Sequence, residues 1–121
     1  MKTNIYLHQT HHTLADFEGI FATLALVFSQ NTGLHLFPES FLCGYPLADL
    51  VIQRPFIDAY QKHLSEVDQW LKVLPKSESR ALCGGLSYQL DETGELQHLR
   101  NVIYELTPGV GLKPIYTKRL L

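Results

Sequence analysis

The run Leu36-Phe37-Pro38-Glu39-Ser40-Phe41-Leu42-Cys43-Gly44-Tyr45-Pro46 decides how this chain is read. The apolar segment Leu34 to Phe37 predicts a short strand, and Gly44-Tyr45-Pro46 predicts a turn that folds the following loop back. Glu39 is therefore expected where strand becomes loop. Strand ends are rigid supports for loop side chains, so a carboxylate there is a candidate for chemistry. Lys118, three residues before the end of the chain, is the second candidate.

Working outward, Asn4 to His8 predicts a short buried strand around Ile5, Tyr6 and Leu7, and the polar run Gln9 to Thr13 ends it. Phe17, Ile20, Phe21, Leu24, Val27 and Phe28 recur at helical spacing, with Asp16 and Glu18 near the start and Gly33 beyond the end. Strand, helix, strand implies a crossover and an at least partly parallel sheet, with the helix on one face. A short helical turn is expected around Leu47 to Val51. From Pro55, suited to a first helical turn, the positions Phe56, Tyr60, His63, Leu64, Val67, Trp70, Leu71 and Leu74 mark a second amphipathic helix. Ala81 to Leu86 predicts a central strand whose Gly84-Gly85 pair admits a close neighbour. Val102 to Leu106 and Leu112 to Thr117 predict a hairpin turning through Thr107 to Gly111, and Asp91 to Gly94 is a further turn. The expectation is α/β: a mixed sheet with two main helices on one face, in one unit without an internal boundary.

Composition narrows the function classes. The chain has 121 residues, 45% of them hydrophobic, and a formal net charge of −2, which fits one globular unit with a real core. No basic stripe exists to hold a phosphate backbone, so nucleic acid is not expected as a partner. The longest apolar stretch, Ile20 to Phe28, is too short for a bilayer, and Lys2 is followed by no apolar signal region. Neither a membrane nor an export route is expected, and a cytoplasmic location follows as the default. Cys43 and Cys83 are isolated thiols, which fits a reducing compartment.

Nucleophilic cleavage of an amide needs a nucleophile, a base that takes and returns a proton, and positive charge beside the developing oxyanion. Glu39 and Lys118 are suited to the last two tasks. On spacing alone, Glu39 reads first as a solvated loop carboxylate or a capping residue, Lys118 as a surface lysine near a frayed terminus, and Tyr45 as a turn aromatic packing on the core. Cys83, inside an apolar strand, reads as a buried small hydrophobe. His8, His11 and His12 cluster in a turn without convergent partners, so no metal is assigned. Gly109-Val110-Gly111-Leu112-Lys113 lacks the spacing and the hydroxyl residue of a phosphate loop and reads as a hairpin turn.

The Leu36 to Pro46 run and the Lys118 segment resemble the nitrilase, or carbon-nitrogen hydrolase, superfamily. Gln9 followed by Thr13-Leu14-Ala15-Asp16-Phe17-Glu18-Gly19 is similar to the family's opening, Leu82-Cys83-Gly84-Gly85-Leu86 to its third core strand, and Asn101 to the asparagine opening the next. Gly44-Tyr45-Pro46-Leu47-Ala48-Asp49-Leu50 with Gln53-Arg54-Pro55-Phe56 is similar to one branch, the glutaminase domain of glutamine-dependent NAD synthetases. The stretch between Leu86 and Asn101 is longer than usual, which predicts a loop extension. The resemblance implies Glu39 as general base, Lys118 as the oxyanion-side cation and Tyr45 as a pocket residue. It implies glutamine as the amide, and no cofactor for the amidase step, since ATP and Mg would belong to a synthetase domain. It also implies a four-layer α-β-β-α sandwich of which this chain is the N-terminal half, without the nucleophilic cysteine. Such a half is expected to be inactive alone and to form homo-oligomers through its uncovered face. The alternatives are a fragment of a stand-alone amidase or nitrilase, and a non-catalytic remnant acting in assembly or partner binding.

Overall fold

The computed structural model describes residues 3–118. In chain order the elements are β1 (Ile5–Leu7), α1 (Phe17–Gln30), β2 (Leu34–Leu36), a 3-10 turn (Asp49–Ile52), α2 (Arg54–Val73), β3 (Arg80–Leu90), β4 (Leu96–Thr107) and β5 (Gly111–Thr117). The sheet has five strands in the order β1-β2-β3-β4-β5. β1, β2 and β3 run parallel, and β4 and β5 are antiparallel additions, so the sheet is mixed with β3 at its centre.

Helix α1 starts where the Asp16 carboxylate accepts the Gly19 N–H, satisfying a donor that the first turn leaves free. Its Ile20, Leu24 and Val27 fall on one stripe and are buried. In α2, Phe56, Tyr60, His63, Val67 and Leu71 form the corresponding stripe, Arg54–Asp58 and Lys62–Glu66 pair on the outer side at i, i+4, and Lys72–Asp68 pairs beside β5, where Asp68 accepts the Leu112 N–H. Both stripes meet Ala81, Cys83, Val102, Tyr104 and Leu106 in one core. Phe17 joins the helices by stacking on His63 at 4.6 Å. The Tyr60 hydroxyl donates to the Leu86 carbonyl at 2.9 Å and accepts the Leu86 N–H at 2.8 Å. It thus satisfies both groups of a strand residue that lies beyond the reach of β2.

The two helices cover one face of the sheet. On the other, strand alternation aligns Leu36, Leu82 and Glu105 in one row and Gly84, Ile103 and Tyr116 in the next. Ile103 and Tyr116 are exposed there, as are Ile5 and Leu7 of the edge strand. β1 is therefore not the buried strand its composition predicts, since its apolar residues point to the open side.

The Leu86 to Asn101 segment also differs from the expected loop extension. It continues β3 to Leu90 and begins β4 at Leu96, forming a long hairpin. Its turn is built by Asp91, whose Oδ1 accepts the Thr93 N–H, the Thr93 hydroxyl and the Glu95 N–H at 2.9, 2.7 and 2.9 Å. Its β3 half, Leu86-Ser87-Tyr88-Gln89-Leu90, alternates as a strand does, and Tyr88 and Leu99 pack against the core, whereas Gln97-His98 breaks the alternation on the returning strand.

His63 makes folding sensitive to pH. Burial, opposed only by a backbone hydrogen bond with Leu42, lowers its pKa from 6.5 to about 4. The folded state disfavours the imidazolium, so this contribution is complete above pH ~6.5 and is lost as pH falls toward ~4, by at most about 3 kcal/mol. Urea denaturation across that range should show stability falling with pH, and His63→Asn should flatten the dependence.

Candidate active site

After β2 the chain keeps its hold on β3. The Phe37 N–H donates to the Leu82 carbonyl and the Leu42 N–H to the Gly84 carbonyl, both at 3.0 Å. Residues 38–41 form a tight excursion between these two bonds. The excursion is closed by Phe41 N–H to Pro38 at 3.2 Å and by Cys43 and Gly44 N–H to the Ser40 carbonyl at 3.1 and 3.0 Å. Ser40, directly after Glu39, has φ +65°, a left-handed conformation that costs a non-glycine residue about 1–3 kcal/mol. The loop is strained where the carboxylate is presented.

Gly84 makes this geometry possible. A Cβ on Gly84 would lie 2.7 Å from the Ser40 nitrogen and 2.8 Å from the Glu39 Cα, so only glycine lets the loop rest on the strand. Glu39 is thereby fixed over the face of the sheet opposite the helices.

Lys118 reaches the same face by register. Its N–H donates to the Asn101 carbonyl at 2.8 Å, extending the β4–β5 ladder past Thr117. An irregularity between Ile103 and Tyr104 shifts the pairing by one residue and leaves Ile115 unpaired between Pro114 and Tyr116. A shift of one residue exchanges the faces of a strand, so the bulge turns Lys118 to the side of Asn101, Ile103 and Gly84. There Lys118 Nζ lies 3.6 Å from Glu39 Oε1. The side chains are 56% and 66% exposed, so attraction between them is worth at most about 1 kcal/mol, and the backbone supplies the placement. A cleft of about 470 Å³ contains both, lined also by Phe37, Gly84, Asn101 and Tyr116.

Tyr45 is placed differently. It is exposed, its N–H donates to the His12 carbonyl at 2.8 Å, and its ring lies against His11 at 6.1 Å. It lines neither this cleft nor the cavity beside it. Asn101, which the sequence singled out only by resemblance, holds Lys118 through its carbonyl and lines both, a role that depends on register.

Neither thiol is disposed for attack. Cys43 is buried in the Glu39 loop with Sγ donating to the Ser40 carbonyl at 3.3 Å, and burial pushes its pKa up to about 12. Cys83 lies in the core, where burial pushes its thiol up further. The histidines of the N-terminal turn have other partners. His8 Nε2 lies 2.9 Å from His35 Nδ1, and His12 bridges Asp16 and Thr23 at 3.1 and 2.9 Å. His35 Nε2 lies 2.8 Å from the Asn31 carbonyl and donates to it, so His8 is the donor to His35. Among the described residues no helix is long and apolar enough to cross a membrane.

Fold and site together define an α/β chain presenting a carboxylate after β2 and an ammonium after β5, in contact across the same end of the sheet. No family model matches the chain. It is similar to the glutamine-dependent NAD(+) synthetase of Thermotoga maritima, at 33% identity over 72 residues. The match takes in 56% of this chain and 12% of that synthetase.

Gly84→Ala should force the Glu39 loop off β3 at a cost of about 1–3 kcal/mol. Chemical denaturation reads the loss, and amide NMR should place the largest shifts at Glu39 to Leu42; a variant of unchanged stability and spectrum would contradict this support.

Proposed function

We propose that the chain supplies the Glu39 and Lys118 part of an amide-hydrolysing site, with glutamine as the amide and ammonia as the product. The observation that carries this reading is the convergence of Glu39 and Lys118 at 3.6 Å over Gly84, built by backbone contacts. The similarity to a glutamine-dependent synthetase supports the choice of amide. Glu39 acts as general base, taking the proton of the attacking group and returning it to the departing ammonia. Lys118 sits beside the negative charge that develops on the carbonyl oxygen. The nucleophile comes from outside this chain's described residues, since both thiols are buried and held protonated.

The same reading accounts for the open face of the sheet. Ile5, Leu7, Ile103 and Tyr116 expose apolar surface of the kind that a second sheet covers, which supports this chain as half of a nitrilase-type α-β-β-α sandwich. The amidase step needs no cofactor, and ATP and Mg belong to a separate synthetase domain acting in the cytoplasm. The exposed face also favours a second reading, in which the chain works through assembly with further copies of itself.

The purified chain alone should release no ammonia from glutamine. A chimera in which this chain replaces the matching stretch of the similar synthetase should release it, and Glu39→Gln or Lys118→Met should each lower that rate by about 10²–10⁴-fold. An active chimera indifferent to both substitutions would overturn the assignment.

A further inference from the structure

Strand alternation decides which side chains of β4 reach the Glu39 cleft. Ile103 lies opposite Gly84 and Tyr116 on the open face, so Asn101, two residues back, shares that face and lies opposite Leu86. The bond from the Lys118 N–H to the Asn101 carbonyl carries the β4–β5 register one step further. A row therefore runs from Leu86 in β3 through Asn101 in β4 to Lys118 after β5. Directly opposed residues in such a row have Cβ atoms about 4.5–5.5 Å apart, so the Asn101 carboxamide stands beside the Lys118 stem. Lys118 is held by the backbone carbonyl of Asn101, and the carboxamide is not spent on holding it.

Asn101 and Tyr116 are the uncharged polar residues lining the cleft. Tyr116 is exposed, whereas Asn101 is half-buried where the cleft meets a second cavity of about 780 Å³ with Leu47, Val51, Leu86 and Leu99 in its wall. A hydrogen bond made beside an apolar wall is stronger than one made in water. A carboxamide offers two N–H donors and does not ionise, which suits a place where charge appears on an oxygen only during reaction.

We propose that Asn101 is a further catalytic residue, a neutral donor to the oxyanion. This inference rests on the amide reading above and adds direction to the charge that Lys118 supplies. As the outside nucleophile bonds to the carbonyl carbon, the π pair of the C=O bond moves onto oxygen. The Asn101 Nδ2–H donates to that oxygen, and Lys118 balances its charge from the neighbouring strand. Asn101 keeps its proton throughout. The pair returns to re-form C=O as the C–N bond breaks, and ammonia leaves with the proton that Glu39 returns.

The chimera described above tests this. Asn101→Leu keeps the side chain's shape and removes its donors, and should lower kcat for glutamine by about 10²–10³-fold while KM changes by less than about threefold. Asn101→Ala should do the same, and Asn101→Thr, which keeps one donor, should recover part of the rate. In each variant a carbodiimide should still join Glu39 to Lys118, because the backbone holds that contact. A kcat unchanged by Asn101→Leu and Asn101→Ala, in a chimera that Glu39→Gln still disables, would overturn the donor and leave the amide reading standing. A loss confined to KM would overturn it in the same way. An active chimera indifferent to Glu39, Lys118 and Asn101 alike would overturn both.

Discussion

Everything at the site depends on how closely the Glu39 loop approaches β3. Ser40 N and Glu39 Cα occupy space that a side chain on Gly84 would need, and bonds from Phe37 and Leu42 to the same strand hold the loop on both sides. Through this contact the core of the sheet fixes the carboxylate. Sequence dictates the contact through a missing side chain, local structure expresses it as a left-handed Ser40, and packing beneath it keeps β3 rigid. Gly85, the next residue, serves the other face, where a Cβ would lie 2.7 Å from the Tyr60 hydroxyl. Two adjacent glycines thus admit the Glu39 loop on one side and the α2 tyrosine on the other.

The division of the sheet into a covered and an open face ties energetics to function. Helices α1 and α2 bury one face and supply the core together with Phe41, Leu42 and Cys43, while the Glu39 and Lys118 side chains stay outside it. The open face combines apolar surface with the Glu39–Lys118 and Arg80–Glu105 pairs. Exposed as it is, the ion pair contributes little to folding, and its placement comes from the backbone. Burial acts in the opposite sense on the thiols, removing them as nucleophiles while using them as small core residues.

Much of the fold was legible in the sequence. The two helices follow from apolar spacing at Ile20, Leu24 and Val27 and at Phe56, Tyr60, Val67 and Leu71, and the close approach at Gly84 follows from the glycine pair itself. The β3–β4 overhang was legible only in part, because Leu86-Ser87-Tyr88-Gln89-Leu90 alternates as a strand does while Gln97-His98 interrupts the alternation on the returning strand. The open orientation of Ile5 and Leu7 was hidden for the converse reason, since apolar residues on an uncovered face look like buried ones. At the site, the Glu39 loop could be read from its strand and turn, and Lys118 only from a family resemblance. Asn101 could likewise be read only from that resemblance, and its hold on Lys118 could not, because it depends on a bulge at Ile115.

The convergence of Glu39 and Lys118 is tested most directly by a zero-length carbodiimide cross-link followed by peptide mapping. Joining the Glu39 carboxylate to Lys118 Nζ as an amide, with loss of one water, requires the contact that the 3.6 Å separation describes. The account predicts that this link forms in the native chain alongside Lys72–Asp68, whose 2.9 Å contact is an internal standard, and that the Glu39 link disappears on unfolding. A native chain that yields the Lys72–Asp68 link, while Lys118 joins other carboxylates or none, would contradict it.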